Sequence, residues 1–111
     1  MTRIDCVPVT FGGYTKRPGK YWNFKEAIKN AFKGQTSPLY EKLKIIIELY
    51  IEEQRVRPNR NDLDNFLKPI IDSLDDAKYI EEWKISSISI KRIKVNPPTS
   101  EGVDIRVEPD E

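Results

Sequence analysis

Residues 55–83 read RVRPNRNDLDNFLKPIIDSLDDAKYIEEW, and the organisation of the whole chain follows from this stretch. From Asp64 onward, Phe66, Leu67, Ile70, Ile71 and Leu74 recur at helical spacing. Asp64, Lys68 and Asp72 fall on an adjoining stripe at successive i, i+4 steps, so a lysine is bracketed by carboxylates. A proline deep in a helix removes a hydrogen bond and clashes with the preceding turn. The helix is therefore expected to begin near Asn65 or Phe66, which leaves Pro69 at the end of the first turn, where backbone N–H groups lack intrahelical partners anyway. Asp64 is then placed to cap it. Asp62 and Asp64 stand two apart, so in an extended segment both carboxylates point the same way and can share a cation. Hard oxygen ligands of this kind suit Mg²⁺, with Mn²⁺ as a substitute.

On either side the period changes from 3.6 to 2. Leu43, Ile45, Ile47, Leu49 and Ile51 alternate with Lys44, Glu48 and Glu52, the pattern of a strand with one strongly apolar face. Downstream, Ile85 to Val95 forms another long strand. Ile88 and Ile90 share one parity there and Ile93 and Val95 the other, which predicts a bulge or twist between them. NPPTSEG at 96–102 makes a turn, and Val103, Ile105 and Val107 alternate with Asp104, Arg106 and Glu108 in a closing strand. At the other end, Arg3 to Val9 reads as a short strand stopped by Pro8, followed by a basic, Gly- and Pro-containing loop, GGYTKRPGK. Asn23 is the expected N-cap of a helix in which Phe24, Ala27, Ile28, Ala31 and Phe32 repeat until Gly34. Lys25, Lys29 and Lys33 stripe its opposite face, available to phosphates or simply solvated. The expected fold is a single small α/β (α+β) domain, residues 1–111, with a mixed β-sheet of about four strands and two main helices.

Composition narrows the chemistry. The chain has 111 residues, 38% apolar and 33% charged, and no apolar run approaching the roughly 20 residues that span a bilayer. No membrane association is expected. The start lacks the features of a secretory signal, so a cytoplasmic location is expected. There is no histidine, which excludes Ser-His-Asp triads, His-based zinc sites and any nuclease that relies on an imidazole base. The single cysteine, Cys6, reads as a buried small residue. Net charge is only +1, yet it is blocked: +5 over 1–35, −4 over 69–82, +4 over 83–96 and −4 over 97–111. A basic face beside an acidic pocket is compatible with that pattern.

Each residue singled out has a plainer role open to it. Asp64 and Asp72 can be cap and surface acids, Lys68 their ion-pair partner, and Glu81 and Glu82 loop solubilisers. Arg55, Arg57 and Arg60, just before the acids, can grip a nucleic-acid backbone or balance the acidic charge. Lys16 and Arg17 in the basic loop have the same two readings. Trp22, Tyr79 and Trp83 can stack on exposed bases or pack beside helices.

Taken together, DLDNFLKPIIDSL followed by YIEEWKI and a long strand resembles the signature of the RusA family of Holliday-junction resolvases: DLDN, a lysine four residues on, an aspartate four beyond it, then a carboxylate pair. The resemblance is specific over about Arg60 to Ile85. It implies that Asp62 and Asp64 match the family's two motif aspartates, Lys68 its active-site lysine and Asp72 the aspartate of the following helix. Glu81-Glu82 stands where the family has two adjacent aspartates, with Glu82 matching the essential second member; Asp75-Asp76 is the alternative pair. The catalytic set so implied is Asp62, Asp64, Lys68 and Glu82. The metal ligands are Asp62, Asp64 and Glu82, with Glu81 and Asp72 in reserve. The implied activity is Mg²⁺-dependent cleavage of branched DNA in recombination and repair by a homodimer, and prophage origin is a family habit. Other readings remain: a non-catalytic DNA-binding module in which the glutamates no longer complete the metal site, or a general flap or branched-DNA nuclease.

Overall fold

The residues described in the computed structural model of the chain are 2–10, 18–52, 63–97 and 100–110. Strand β2 (Leu43–Glu52) sits at the centre, and its alternation is complete: Leu43, Ile45, Ile47, Leu49 and Ile51 are at most 1% exposed, while the residues between them are half-buried. Burying one such side chain stabilises the fold by about 1.5–3 kcal/mol, so the apolar parity of this strand fixes which face meets the helices. β3 (Ile85–Val95) runs parallel to β2 on one side. β4 (Gly102–Pro109) runs antiparallel on the other, with β1 (Thr2–Asp5) outside it, giving the order β1-β4-β2-β3.

A parallel pair needs a crossover, because a tight turn cannot return the chain to the same end of the sheet. Between β2 and β3 that crossover carries helix α2 (Leu67–Asp76), and helix α1 (Pro18–Phe32) lies between β1 and β2 in sequence. Tyr21, Phe24, Ile28 and Phe32 are the buried stripe of α1; Phe24, Ile28 and Phe32 form one core with Ile70, Ile71 and Leu74 of α2, the odd residues of β2, and Ile4, Val103 and Ile105. The other side of the sheet is polar. There the Tyr50 hydroxyl donates to Asp104 Oδ2 at 2.9 Å and more weakly to Glu48 Oε2 at 3.3 Å, with the Arg3 guanidinium 4.0 Å over the ring. The expected single α+β domain, with a mixed four-stranded sheet and two helices, is the one observed.

Several boundaries differ from the sequence reading. β1 ends at Asp5 and does not continue to Val9. α1 begins at Pro18, so Asn23 lies inside it and caps nothing; proline is favoured in a first turn because its φ is preset and its missing N–H would have no partner there. Of the bulge or twist expected between Ile90 and Ile93, the bulge is absent. Pairing is unbroken from Lys44↔Ser87 to Glu52↔Val95, and the one irregularity lies at the start of the strand, between Leu43 and Lys44. The change of parity has another origin. β3 ends the sheet, so both its faces are half-covered: Ile88 and Ile90 line up with Ile45 and Ile47, Ile93 and Val95 with Tyr50 and Glu52.

Candidate active site

The crossover delivers the acids. A 3-10 turn, Leu63–Phe66, carries Asp64 and buries Phe66, and α2 starts directly after it with Phe66 as N-cap. Asp64 thus belongs to the preceding turn, and the expectation that it caps α2 does not hold. Pro69 is the third residue of the helix, where its missing N–H costs no intrahelical bond. One turn later the buried Ser73 hydroxyl donates to the Pro69 carbonyl at 2.6 Å, which satisfies a polar atom inside the core.

The far end of α2 is closed by Lys78, whose φ of 59° is left-handed. Its N–H reaches the Asp75 carbonyl at 2.8 Å and the next N–H, of Tyr79, reaches back to the Leu74 carbonyl at 3.0 Å. This is the six-to-one and five-to-two pair of a Schellman cap, made here without glycine. The Ser37 hydroxyl holds the Lys78 carbonyl at 2.8 Å. Beyond the cap, Tyr79 packs on Phe32 at 4.6 Å between ring centroids, Ile80 is buried, and the chain emerges with Glu81 extended and Glu82 opening a second 3-10 turn, Glu82–Lys84, that leads into β3.

Three of the sequence-predicted site residues meet as a result. Lys68, Asp72 and Glu82 line one cleft of about 460 Å³, floored by Leu67, Ile71, Ile85 and Ile88. Lys68 Nζ donates to Asp72 Oδ2 at 3.0 Å, along one turn of α2. That bond, then the negative charge of Asp72, and to a smaller degree that of Glu82, hold the ammonium above its ordinary pKa. Asp72 is half-buried; Glu82 and Lys68 are exposed. Asp64 is exposed on its turn, four residues before Lys68. Glu81 faces a neighbouring hollow of about 560 Å³, lined by Asp75, Glu81, Glu82 and Trp83. Asp62, Arg55, Arg57, Arg60, Lys16 and Arg17 lie outside the described residues.

The arrangement can do two things chemically. A fixed ammonium beside carboxylates can stabilise negative charge that develops on a bound phosphate. Carboxylate oxygens without any imidazole or thiolate are the donor chemistry of a hard divalent cation. Among the described residues no three acids stand close enough together to hold a metal by themselves.

Other groups separate into roles. Cys6 is half-buried, its Sγ is 3.7 Å from the Ile4 carbonyl, and burial above all pushes its thiol up to about 12, so it is not a nucleophile at neutral pH. Lys25 is tied up: it pairs with Asp76 at 3.9 Å and lies 4.8 Å over the Trp22 ring, joining α1 to the end of α2. Asp76 is drawn into that pair, whereas Asp75 turns toward Glu81 and Glu82. Of the alternative pair offered by the sequence, Asp75 therefore lies beside the glutamates, three residues beyond Asp72, and Asp76 does not line that hollow.

The comparison with protein families places residues 9–108, nearly the whole chain, in one match, to endodeoxyribonuclease RusA. No curated protein matches the chain. A match of that extent, over a mixed sheet whose crossover brings Lys68 and Asp72 to Glu82, shows that the chain belongs to the endodeoxyribonuclease RusA family.

Proposed function

We propose that this chain is a Mg²⁺-dependent, structure-specific endonuclease that resolves four-way DNA junctions by paired phosphodiester hydrolysis, acting as a homodimer in the cytoplasm. What carries the reading is the convergence of Lys68, Asp72 and Glu82 on one cleft in a chain of this family. Asp62, Asp64 and Glu82 would hold the cation, with Glu81 and Asp72 as neighbours. When bound, Mg²⁺ would polarise a phosphate oxygen and lower the pKa of the attacking water. Lys68 stabilises charge developing on the phosphate, and the hydrogen bond to Asp72 aims the lysine along the helix. Arg60, Arg57, Arg55, Lys16 and Arg17 are the proposed contacts to the DNA backbone, giving affinity without sequence information. Two-fold symmetry of a dimer would present two such clefts to strands of like polarity.

The test is cleavage of a synthetic four-way junction, with and without Mg²⁺, by the wild-type chain and by Asp64→Asn, beside fork and linear duplex substrates. Metal-dependent paired nicks, lost in Asp64→Asn while junction binding stays, are the expected result, because the substitution removes a ligand charge and little volume. Binding without cutting across Mg²⁺ and Mn²⁺ would leave a DNA-binding module instead. Equal cutting of forks would make it a general branched-DNA nuclease.

A further inference from the structure

Trp83 is 77% exposed, although it carries one of the two indoles in the chain. The ring is not loose. Its Nε1 donates to Glu81 Oε2 at 2.6 Å, and the Lys84 ammonium lies 5.5 Å from its centroid. The hydrogen bond fixes the edge of the ring, the Lys84 ammonium lies over one face, and most of the ring stays exposed to solvent. Trp83 walls the hollow it shares with Asp75, Glu81 and Glu82, and Glu82 belongs at the same time to the cleft of Lys68 and Asp72. A large flat apolar plate is thus held at the rim of the candidate active site.

We propose that Trp83 is a stacking plate for an unpaired nucleobase lying beside the scissile phosphate. The inference rests on the nuclease reading given above, and it names the part of the substrate that the second hollow receives. Three carboxylates line that hollow, so a phosphate is repelled from it and the occupant must be an uncharged part of the nucleic acid. A base inside a continuous duplex has both faces covered by its neighbours. Only a base whose stack is interrupted, as at a branch point or strand end, can offer its face to an indole. A base stacked on the face opposite Lys84 would keep that ammonium within reach of the same nucleotide's phosphate. The other two aromatics considered from the sequence are engaged differently: Tyr79 is packed on Phe32, and Trp22 makes an edge contact with Tyr21 under Lys25.

The experiment uses the full chain carrying Trp22→Phe, so that Trp83 is its one indole, without divalent metal, so that no turnover is read. Intrinsic fluorescence is followed while a four-way junction with two unpaired bases at its centre, a short single-stranded oligonucleotide, or a fully paired linear duplex is added. Binding is tracked separately by anisotropy of labelled DNA. Saturable quenching by the junction and the single strand, and none by the duplex at equal occupancy, is expected. Trp83→Ala should weaken binding of the junction roughly 5- to 150-fold, the range of one lost base–aromatic stack, with duplex affinity unchanged, and Trp83→Phe should restore most of it. Equal quenching by duplex, or equal effects of Trp83→Ala on junction and duplex, overturns the proposal. So does an unchanged junction affinity. A chain that cuts junctions yet shows no selective quenching loses only the stacking role; one that shows selective quenching and never cuts keeps the stack and loses the nuclease reading.

Discussion

Lys78→Gly should make the protein more stable. Lys78 occupies the left-handed position of the cap that ends α2, with φ of 59°, where an L side chain crowds its own backbone by roughly 1–2 kcal/mol. Glycine removes that strain but has more freedom to lose on folding, an offset of about 0.5–1 kcal/mol. The interactions made by residue 78 in the cap are made by its backbone, through Asp75 and Ser37, and survive the change. A net gain of about 0.5–1 kcal/mol follows, which for a domain of this size raises Tm by roughly 2–4 °C. The assay is thermal unfolding by circular dichroism, with Lys78→Ala as the control. Alanine removes the charge and keeps the strain, so its Tm should stay near wild type. Because the same cap sets the direction in which Glu81 and Glu82 leave the helix, junction cutting by Lys78→Gly should match the wild type. A fall in Tm for Lys78→Gly, or an equal rise for Lys78→Ala, would refute the claim that backbone strain is stored at this turn.

Two further expectations concern charge. Lys68→Ala should lower turnover roughly 10²- to 10³-fold, the loss typical of one preorganised donor to developing charge, with junction Kd changed only a few-fold; equal losses in both would recast Lys68 as a phosphate anchor. Tyr50 has its hydroxyl pKa raised, first by donation to Asp104, then by burial and the nearby carboxylate charges. A group with a raised folded pKa contributes stability that is full below its unfolded value, near 10 for tyrosine, and lost as pH climbs through the folded one. Denaturant unfolding between pH 9 and 11.5 should therefore show a steeper alkaline decline in wild type than in Tyr50→Phe, and parallel curves would contradict it.

The parts of this fold that sequence discloses are those where one periodicity rules a whole element. The odd residues of β2 and the Phe66–Leu74 pattern of α2 are such cases, because each element buries a single face against a single core. Ends were less legible. Asn23 looks like a cap only if the helix is taken to begin with its first apolar repeat, whereas Pro18 starts it five residues earlier on backbone grounds that leave no hydrophobic trace. The split parity of β3 suggested a bulge because a strand with two half-covered faces and a bulged strand write similar patterns. Within the site, the i, i+4 spacing of Lys68 and Asp72 announced their ion pair directly. That Glu82 joins them, and that Trp83 and Asp75 frame a second hollow, depends on the left-handed turn at Lys78, and a lysine gives no sign of such a turn.

The sheet also determines how this molecule must come together. No two strands paired among the described residues are neighbours in the chain: the shortest rung, Leu43 to Ile85, joins residues 42 positions apart, and Thr2 pairs with Ile105. Even the adjacent strands β3 and β4 lie on opposite sides of β2. With no hairpin to nucleate it, assembly waits on the closure of long loops, which places the chain among slow, all-or-none folders. Nascent chain leaving the ribosome cannot form the outer β1–β4 pair until residues 102–109 are free, so a molecule synthesised only as far as β3 has no finished sheet on which to mount a working cleft.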